Sequence, residues 1–284
     1  MRWLLIGAGG MLGRDIQRSL AERDVIAAKR SDLDITDYDA AFEMIVRVRP
    51  DIVVNSAAWT AVDAAETDQA GAFAVNAIGA ANVAQACSRV GVRMMHISTD
   101  YVFDGTASTP YPEDANVCPR SAYGRTKVAG EWAVRSALPQ DSWIVRTAWL
   151  YGEAGQNFVR TVIRLEAEQD TIDVVTDQRG QPTWSVEVAR QIVRMVDAGA
   201  PAGVFHATAS GSATWYDLAR SVFELLGADP GRVRPTNSTA FARPAPRPAY
   251  SVLGHDAWAR AGLVPLPHWK SSLSHAFDVL ASAR

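Results

Sequence analysis

Tyr123 and Lys127 stand at the two ends of the string Tyr123-Gly124-Arg125-Thr126-Lys127. On a helix, positions i and i+4 share a face, so the phenol and the ammonium project together. A free tyrosine titrates near about 10 and moves protons poorly at neutral pH. A cation within about 4–6 Å favours the phenolate. The spacing therefore predicts that Lys127 lowers the Tyr123 pKa and that Tyr123 acts as a general acid toward a developing alkoxide. Thr99 ends the run His96-Ile97-Ser98-Thr99 and is expected to hydrogen-bond the same oxygen. Alone, a Tyr-x-x-x-Lys pattern describes many surface helices, and a strand-end threonine often just caps backbone. Their weight comes from what precedes them.

What precedes them is a glycine turn. Gly7-Ala8-Gly9-Gly10-Met11-Leu12-Gly13 follows the apolar run Trp3-Leu4-Leu5-Ile6, and Leu12, Ile16 and Leu20 then recur every fourth residue. That is strand, turn, helix, the context a dinucleotide site requires. Gly7 permits the tight turn, Gly10 leaves room for a pyrophosphate, and Gly13 lets helix and strand pack closely. The helix N-terminus adds free N–H groups and a positive dipole end. A ribose-gripping acid should end the second strand, yet the sequence there is Ala27-Ala28-Lys29-Arg30-Ser31. Arg30 and its neighbour favour a 2′-phosphate, hence NADPH, with NADH left open; a solvated pair of surface charges is an equal reading. Asp34 and Ile35 are expected at the adenine. The third strand ends in Asn55-Ser56-Ala57-Ala58-Trp59-Thr60, whose small residues let a cofactor lie against the backbone. Asn76 sits inside a helical pattern, where a plain surface Asn is disfavoured, so a buried bridging role stays open.

These residues need a scaffold, and the chain alternates short β-rich runs with longer helical ones. Trp3–Ile6, Val25–Ala28, Asp51–Asn55, Met94–Ser98 and Trp143–Thr147 read as strands, rich in Val, Ile and Leu without strict alternation. That suits a parallel sheet covered on both faces. Between them, helices are expected around Leu12–Leu20, around Phe42–Val46, over Phe73–Val90 and over Ser121–Ala137. The order βαβα predicts an α/β, doubly wound parallel Rossmann sheet. After about residue 150 the rhythm loosens: helices over Asn157–Glu168, Ser185–Ala198, Trp215–Leu226, from Asp256 and over Ser271–Ala283, with a returning strand at Val204–Ala207. Residues 230–250 carry Pro230, Pro235, Pro244, Pro246 and Pro248, so no regular helix runs there. An ordered loop in a smaller C-terminal α/β substrate-binding lobe is expected. The expected division is 1–150 with roughly 184–207 for the dinucleotide, and 151–183 with 208–284 for the substrate.

Composition narrows the class. The chain has 284 residues, 48% of them apolar and 21% charged, with a formal net charge of -3. That is globular, and no dense Lys/Arg run marks a nucleic-acid partner. The opening residues Met1 to Gly7 are too short an apolar run for a signal peptide or a membrane span. A cytoplasmic protein is expected, with Cys87 and Cys118 as reduced thiols.

Further strings sharpen the picture. They are Leu33-Asp34-Ile35-Thr36-Asp37, Pro50-Asp51-Ile52-Val53-Val54-Asn55, Thr60-Ala61-Val62-Asp63-Ala64-Ala65-Glu66, Ser98-Thr99-Asp100-Tyr101-Val102-Phe103, Arg146-Thr147-Ala148-Trp149-Leu150-Tyr151, Asn157-Phe158 and Asp177-Gln178-Arg179-Gly180-Gln181-Pro182-Thr183. Gly130-Glu131 follows Lys127, and Arg247-Pro248 with Ser251 and Leu253 comes later. Over nearly the whole chain they resemble the extended short-chain dehydrogenases and, within them, the family of dTDP-4-dehydrorhamnose reductases.

The resemblance implies NADPH-dependent reduction of the C4 keto group of dTDP-4-dehydro-6-deoxy-L-mannose, giving dTDP-L-rhamnose. It implies Tyr123 as proton donor, Lys127 on the cofactor ribose and Thr99 as helper. Gly10, Met11 and Leu12 would meet the pyrophosphate through backbone, Arg30, Asp34 and Ile35 the adenosine end, and Ala57, Ala58 and Thr60 the middle of the cofactor. Thr99, Asp100, Tyr101, Trp149 and Asn157 would meet the dTDP-linked keto-sugar. Trp59 stands where Tyr or His is more familiar, and Ser121 where Asn often precedes the catalytic Tyr. Some relatives form a magnesium-linked dimer through several glutamates. Asp15 stands in one such position without a full set, so no metal ligand is expected, magnesium is left open, and the chain is a monomer or homodimer. Two rivals share these motifs: a reductase for another dTDP-4-keto-deoxysugar, such as a dihydrostreptose-type product, and a non-catalytic regulatory subunit like the β subunit of methionine adenosyltransferase. A dehydratase is disfavoured, because Tyr101 replaces the Glu expected beside Asp100.

Overall fold

The apolar run after Arg2 becomes strand β1 (Arg2–Ile6), with its last four residues buried. The computed structural model describes residues 1–281. After β1 come α1 (Met11–Ser19), β2 (Asp24–Ala28), α2 (Tyr38–Val48), β3 (Ile52–Asn55), α3 (Ala80–Val90), β4 (Arg93–Thr99), α4 (Ala122–Ala137) and β5 (Ser142–Thr147). Later α5 (Ser185–Asp197) and β6 (Gly203–His206) complete the layer. The six strands form one sheet in the order β6-β5-β4-β3-β1-β2, every neighbouring pair parallel.

Burial explains the all-apolar strands. One sheet face packs Leu5, Val54, Met95 and Val145 against Leu12, Ile16 and Leu20 from the first helix and Val188, Ile192 and Met195 of α5. The other packs Leu4, Ile6, Val53 and Ile144 against Met44 and Ile45 of α2, Val83 and Cys87 of α3, and Val134 of α4. Each such fully buried aliphatic side chain contributes about 2 kcal/mol. The chain leaves β1 toward β2 and returns to β3 on the other side. The strand order therefore reverses at β1, and a crevice opens beyond the carboxyl ends there.

The stretch before α3 is not one uniform helix. Gln69–Phe73 is α-helical, Ala74–Gly79 is a π turn, and the α-helix resumes at Ala80. The wide turn lies where α4 presses closest: a Cβ on Gly130 would sit 2.2 Å from the Asn76 carbonyl oxygen.

The smaller lobe has its own core, in which Val159, Val162, Ile172, Val222, Phe223, Trp269 and Leu273 meet. Residues 230–250 are ordered. Val233–Thr236 pairs in parallel with Ile172–Val175, and Pro235 sits in this two-stranded ribbon, where a missing donor is tolerated. Ala257, Trp258 and Leu266 pack against the large sheet, not the lobe core. The last helix runs Trp269–Ala281; positions 282 and 283 of the expected helix lie outside the described residues. Cys87 is buried and Cys118 exposed, both free. Among the described residues, no helix is long and apolar enough to cross a membrane.

Candidate active site

The glycine turn sits at the crevice. Gly7 has φ +83, and a Cβ there would lie 2.5 Å from Ala57 N. A Cβ on Gly13 would lie 2.2 Å from the Gly7 carbonyl oxygen. Gly10 caps α1 in extended conformation with no side-chain hydrogen bond, so the first-turn N–H groups face outward unclaimed by a side-chain cap. Gly7, Gly10, Arg30, Asp34, Ile35, Ala57 and Ala58 line one cleft of about 240 Å³. Met11 and Gly13 are on the adjoining first turn of α1, and the Leu12 side chain is buried in the core, leaving only its backbone to a ligand. Thr60 is exposed. Asp34 uses one oxygen to accept from Thr36 N and Oγ1, which holds its carboxyl below the usual range. A glycine cradle, an open helix N-terminus and a cationic Arg30 fit a dinucleotide phosphate group.

Thr99 and Tyr123 meet at the carboxyl end of β4. The Thr99 hydroxyl accepts from Tyr101 N at 3.3 Å and donates to Asp100 Oδ1 at 3.0 Å, and it lies near enough to the Tyr123 phenol to pull its pKa down. It is thus both a backbone cap and a neighbour of Tyr123. Tyr101 packs edge-on against Tyr123, with ring centroids 5.6 Å apart. Ser121 caps α4 by accepting from Gly124 N, and Glu66 accepts from Ala122 N at 2.7 Å. The helix start that carries Tyr123 is therefore fixed twice.

Lys127 is buried one turn further on. Its ammonium donates to the Ile97 carbonyl at 2.6 Å and lies 3.4 Å from His96 Nε2. Burial, and then the Lys127 charge, hold His96 well below its usual pKa, so it is neutral. Burial lowers Lys127 itself to about 8, with Glu131 pulling the other way.

The expected acidification of Tyr123 is not what the structure shows. Burial pushes its phenol up to about 12; the Thr99 hydroxyl offsets part of this and the Asp100 charge adds to it. Desolvation of the phenolate dominates, and the Lys127 ammonium is turned toward the Ile97 carbonyl and His96. Asp100 is raised to about 6 by burial, partly offset by the Thr99 hydroxyl that donates to it.

A second cleft of about 610 Å³ opens beside Tyr101, lined also by Trp149, Phe158, Gln178, Trp215, Phe241, Arg243 and Arg247. Trp149 adopts a left-handed backbone, φ 45, and its indole stacks on Trp215 with centroids 3.5 Å apart. Gly180 makes this possible, since a Cβ there would sit 2.5 Å from the Trp149 ring. Trp215 is oriented by donating to Gln178 at 3.0 Å. Asn157, expected at the sugar, stands apart. Its side chain caps the helix Phe158–Glu168 by accepting from Arg160 N at 3.1 Å and donates to the Gly152 carbonyl at 2.9 Å.

The model of the RmlD substrate binding domain matches residues 1–282. The chain belongs to the RmlD family. A dTDP-4-keto-6-deoxy-D-glucose reductase of Streptomyces niveus is 54% identical over 98% of this chain and 97% of its own. A dTDP-4-dehydrorhamnose reductase of Streptomyces griseus is 52% identical, covering 98% and 94%. The crystal structure of the dTDP-4-dehydrorhamnose reductase of Bacillus anthracis in complex with NADP superposes with a TM-score of 0.93 at 37% identity, covering 98% of each chain.

In this RmlD-family chain, several site-shaping residues carry weak sequence signals. Asn76 is buried and bridges the Trp59 backbone to Thr126. Trp59 packs with Tyr101 and Tyr123, and its indole donates to the Ala61 carbonyl. Glu131, four residues past Lys127, forms a buried two-toothed pair with Arg146, at 2.9 and 2.7 Å, and accepts from Ser98 at 2.5 Å. Asp15 is buried and accepts from Ser185 at 2.6 Å. Of these, Asn76 carries a local signal, as a polar residue in a helix interior, while Trp59, Glu131 and Asp15 stand out only through the family resemblance.

Proposed function

We propose that this protein is an NADPH-dependent reductase of the C4 keto group of dTDP-4-dehydro-6-deoxy-L-mannose, yielding dTDP-L-rhamnose. The observation that carries the reading is the edge-on packing of Tyr123 against Tyr101, which itself lines the aromatic, basic cleft, beside a separate cleft lined by the glycine turn. Arg30 in the first cleft supports a 2′-phosphate, and the Bacillus anthracis relative described with NADP supports it further. Residues 1–150 with roughly 184–207 would hold the cofactor, and 151–183 with 208–284 the nucleotide-sugar.

When bound, the nicotinamide supplies the hydride; this chain supplies position and a proton. Tyr123 and Thr99 hydrogen-bond the keto oxygen. A phenol titrating near about 12 keeps its proton until a stronger base forms beside it, and gives it up as the alkoxide develops. Lys127, anchored on the Ile97 carbonyl, orients the cofactor ribose and keeps positive charge near the developing anion. Trp149, held by Trp215, walls the sugar against water. Arg247 and Arg243 suit a diphosphate, as guanidinium groups match phosphate oxygens.

A second reading has one observation in its favour. The Streptomyces niveus relative, named for dTDP-4-keto-6-deoxy-D-glucose, is as similar as the rhamnose-pathway relative. NADPH oxidation with each of the two keto-sugars separates them. We expect kcat/KM at least about tenfold higher for the L-manno substrate, a difference of about 1.4 kcal/mol in transition-state binding. The reverse order supports the second reading. Turnover of neither contradicts both.

A further inference from the structure

The segment after Thr60 touches both halves of the site. Its Glu66 accepts from Ala122 N at 2.7 Å, at the start of the helix carrying Tyr123. Three residues earlier, Asp63 reaches the other way, to the strap Ala245-Pro246-Arg247-Pro248. Asp63 Oδ1 accepts from Ala245 N at 3.2 Å, and Oδ2 accepts from Arg247 Nη2 at 2.8 Å. Arg243 approaches the same carboxylate at 3.8 Å. The strap residues line the larger cleft beside Tyr101.

We propose that Asp63 is a positioning residue that holds the Arg247 strap in place as one wall of the nucleotide-sugar site. The inference rests on the nucleotide-sugar reading above.

Three features separate this from an incidental surface pair, which contributes little. One oxygen binds backbone, so the contact fixes main chain and not only a mobile guanidinium. Arg247 and Asp63 are 22% and 31% exposed, unlike freely solvated charges. Arg247 also donates to the Ala245 carbonyl at 3.1 Å, which leaves its planar head oriented by both acceptors. The strap has Pro244, Pro246 and Pro248, so few backbone donors remain to pin it by other means. The charges of Arg247 and Asp63 both act on the Tyr101 phenol, which packs on Tyr123. The clasp therefore stands at the border of the reacting groups without touching the reacting carbon.

Calorimetric binding of dTDP and of NADPH, with steady-state kinetics on the keto-sugar, tests this on the full chain. The variants are Asp63→Asn and Asp63→Glu. For Asp63→Asn we expect the dTDP Kd and the sugar KM to rise about tenfold, with kcat within about twofold and the NADPH Kd unchanged. Asp63→Glu keeps the charge and should recover part of that loss, which a merely structural role would not produce. Wild type that binds dTDP, with an Asp63→Asn variant that binds it equally well, overturns the inference. So does a fall in kcat at unchanged KM. Failure of wild type to bind dTDP overturns the functional reading first, and the inference with it.

Discussion

The side-chain amide of Asn76 donates to the Thr126 hydroxyl at 3.0 Å, joining the Trp59 loop, expected at the middle of the cofactor, to the helix that carries Tyr123. The same amide group accepts from Trp59 N at 2.8 Å and donates to Trp59 O at 3.0 Å. Asn76→Ala leaves all three partners buried or half-buried without it. The expected cost is about 2–3 kcal/mol of unfolding free energy, read by urea denaturation, since stranded buried polar groups keep their full desolvation penalty. An unchanged midpoint with an unchanged slope argues against the bridge.

The glycine turn makes two different demands, and substitutions should separate them. A methyl on Gly13 collides with backbone at 2.2 Å, so Gly13→Ala should lower the melting temperature. A methyl on Gly10 meets only the Gly7 carbonyl oxygen at 3.5 Å, an ordinary contact. Gly10→Ala should therefore fold normally and bind NADPH at least about tenfold more weakly, because the methyl occupies the space left for pyrophosphate. Fluorescence titration of NADPH beside a thermal melt reads both. Normal NADPH binding by Gly10→Ala would remove the pyrophosphate from this turn.

Glu131 and Arg146 are each 3% exposed at the side chain and face one another with two hydrogen bonds. Glu131→Gln leaves the guanidinium charge in the interior. It should destabilise the fold by about 3–5 kcal/mol, the scale for breaking a buried pair from one side. A chemical denaturation curve within about 1 kcal/mol of wild type would mean that water or another group compensates the charge.

Activity should fall on the alkaline side. Burial brings Lys127 to about 8, so it is a cation below that pH and loses its proton above it. Tyr123, near about 12, stays protonated throughout. The profile of kcat/KM for the keto-sugar should therefore hold up to about pH 7 and decline through pH 8 with a slope of one proton. A flat profile to pH 10 would show that the Lys127 charge is not required.

How much of this could be read from the residues follows from distance along the chain. β1, the glycine turn and α1 are local, and their periodicity and spacing are visible in the first twenty residues. Tyr123 and Lys127 are one helical turn apart, and their shared face was equally legible. The sign of the Tyr123 shift was not. The string shows the cation but neither the burial of the phenol nor the turn of the ammonium toward the Ile97 carbonyl. Asn157 precedes the helix Phe158–Glu168 as a good N-cap residue would, a local signal that carries more weight than a place at the sugar. The Asp63–Arg247 clasp and the Trp149–Trp215 stack span too many residues for any periodicity to report. Their strings were noticeable, but which partner each residue takes is decided by the tertiary fold.

The central claim is that Tyr123 gives the proton. Steady-state NADPH oxidation with dTDP-4-dehydro-6-deoxy-L-mannose, comparing wild type with Tyr123→Phe, tests it most directly. The account predicts turnover by wild type and a loss in kcat of at least about a hundredfold in the variant, with NADPH still bound, the scale of a missing general acid. A variant that turns over within a few fold of wild type would contradict it.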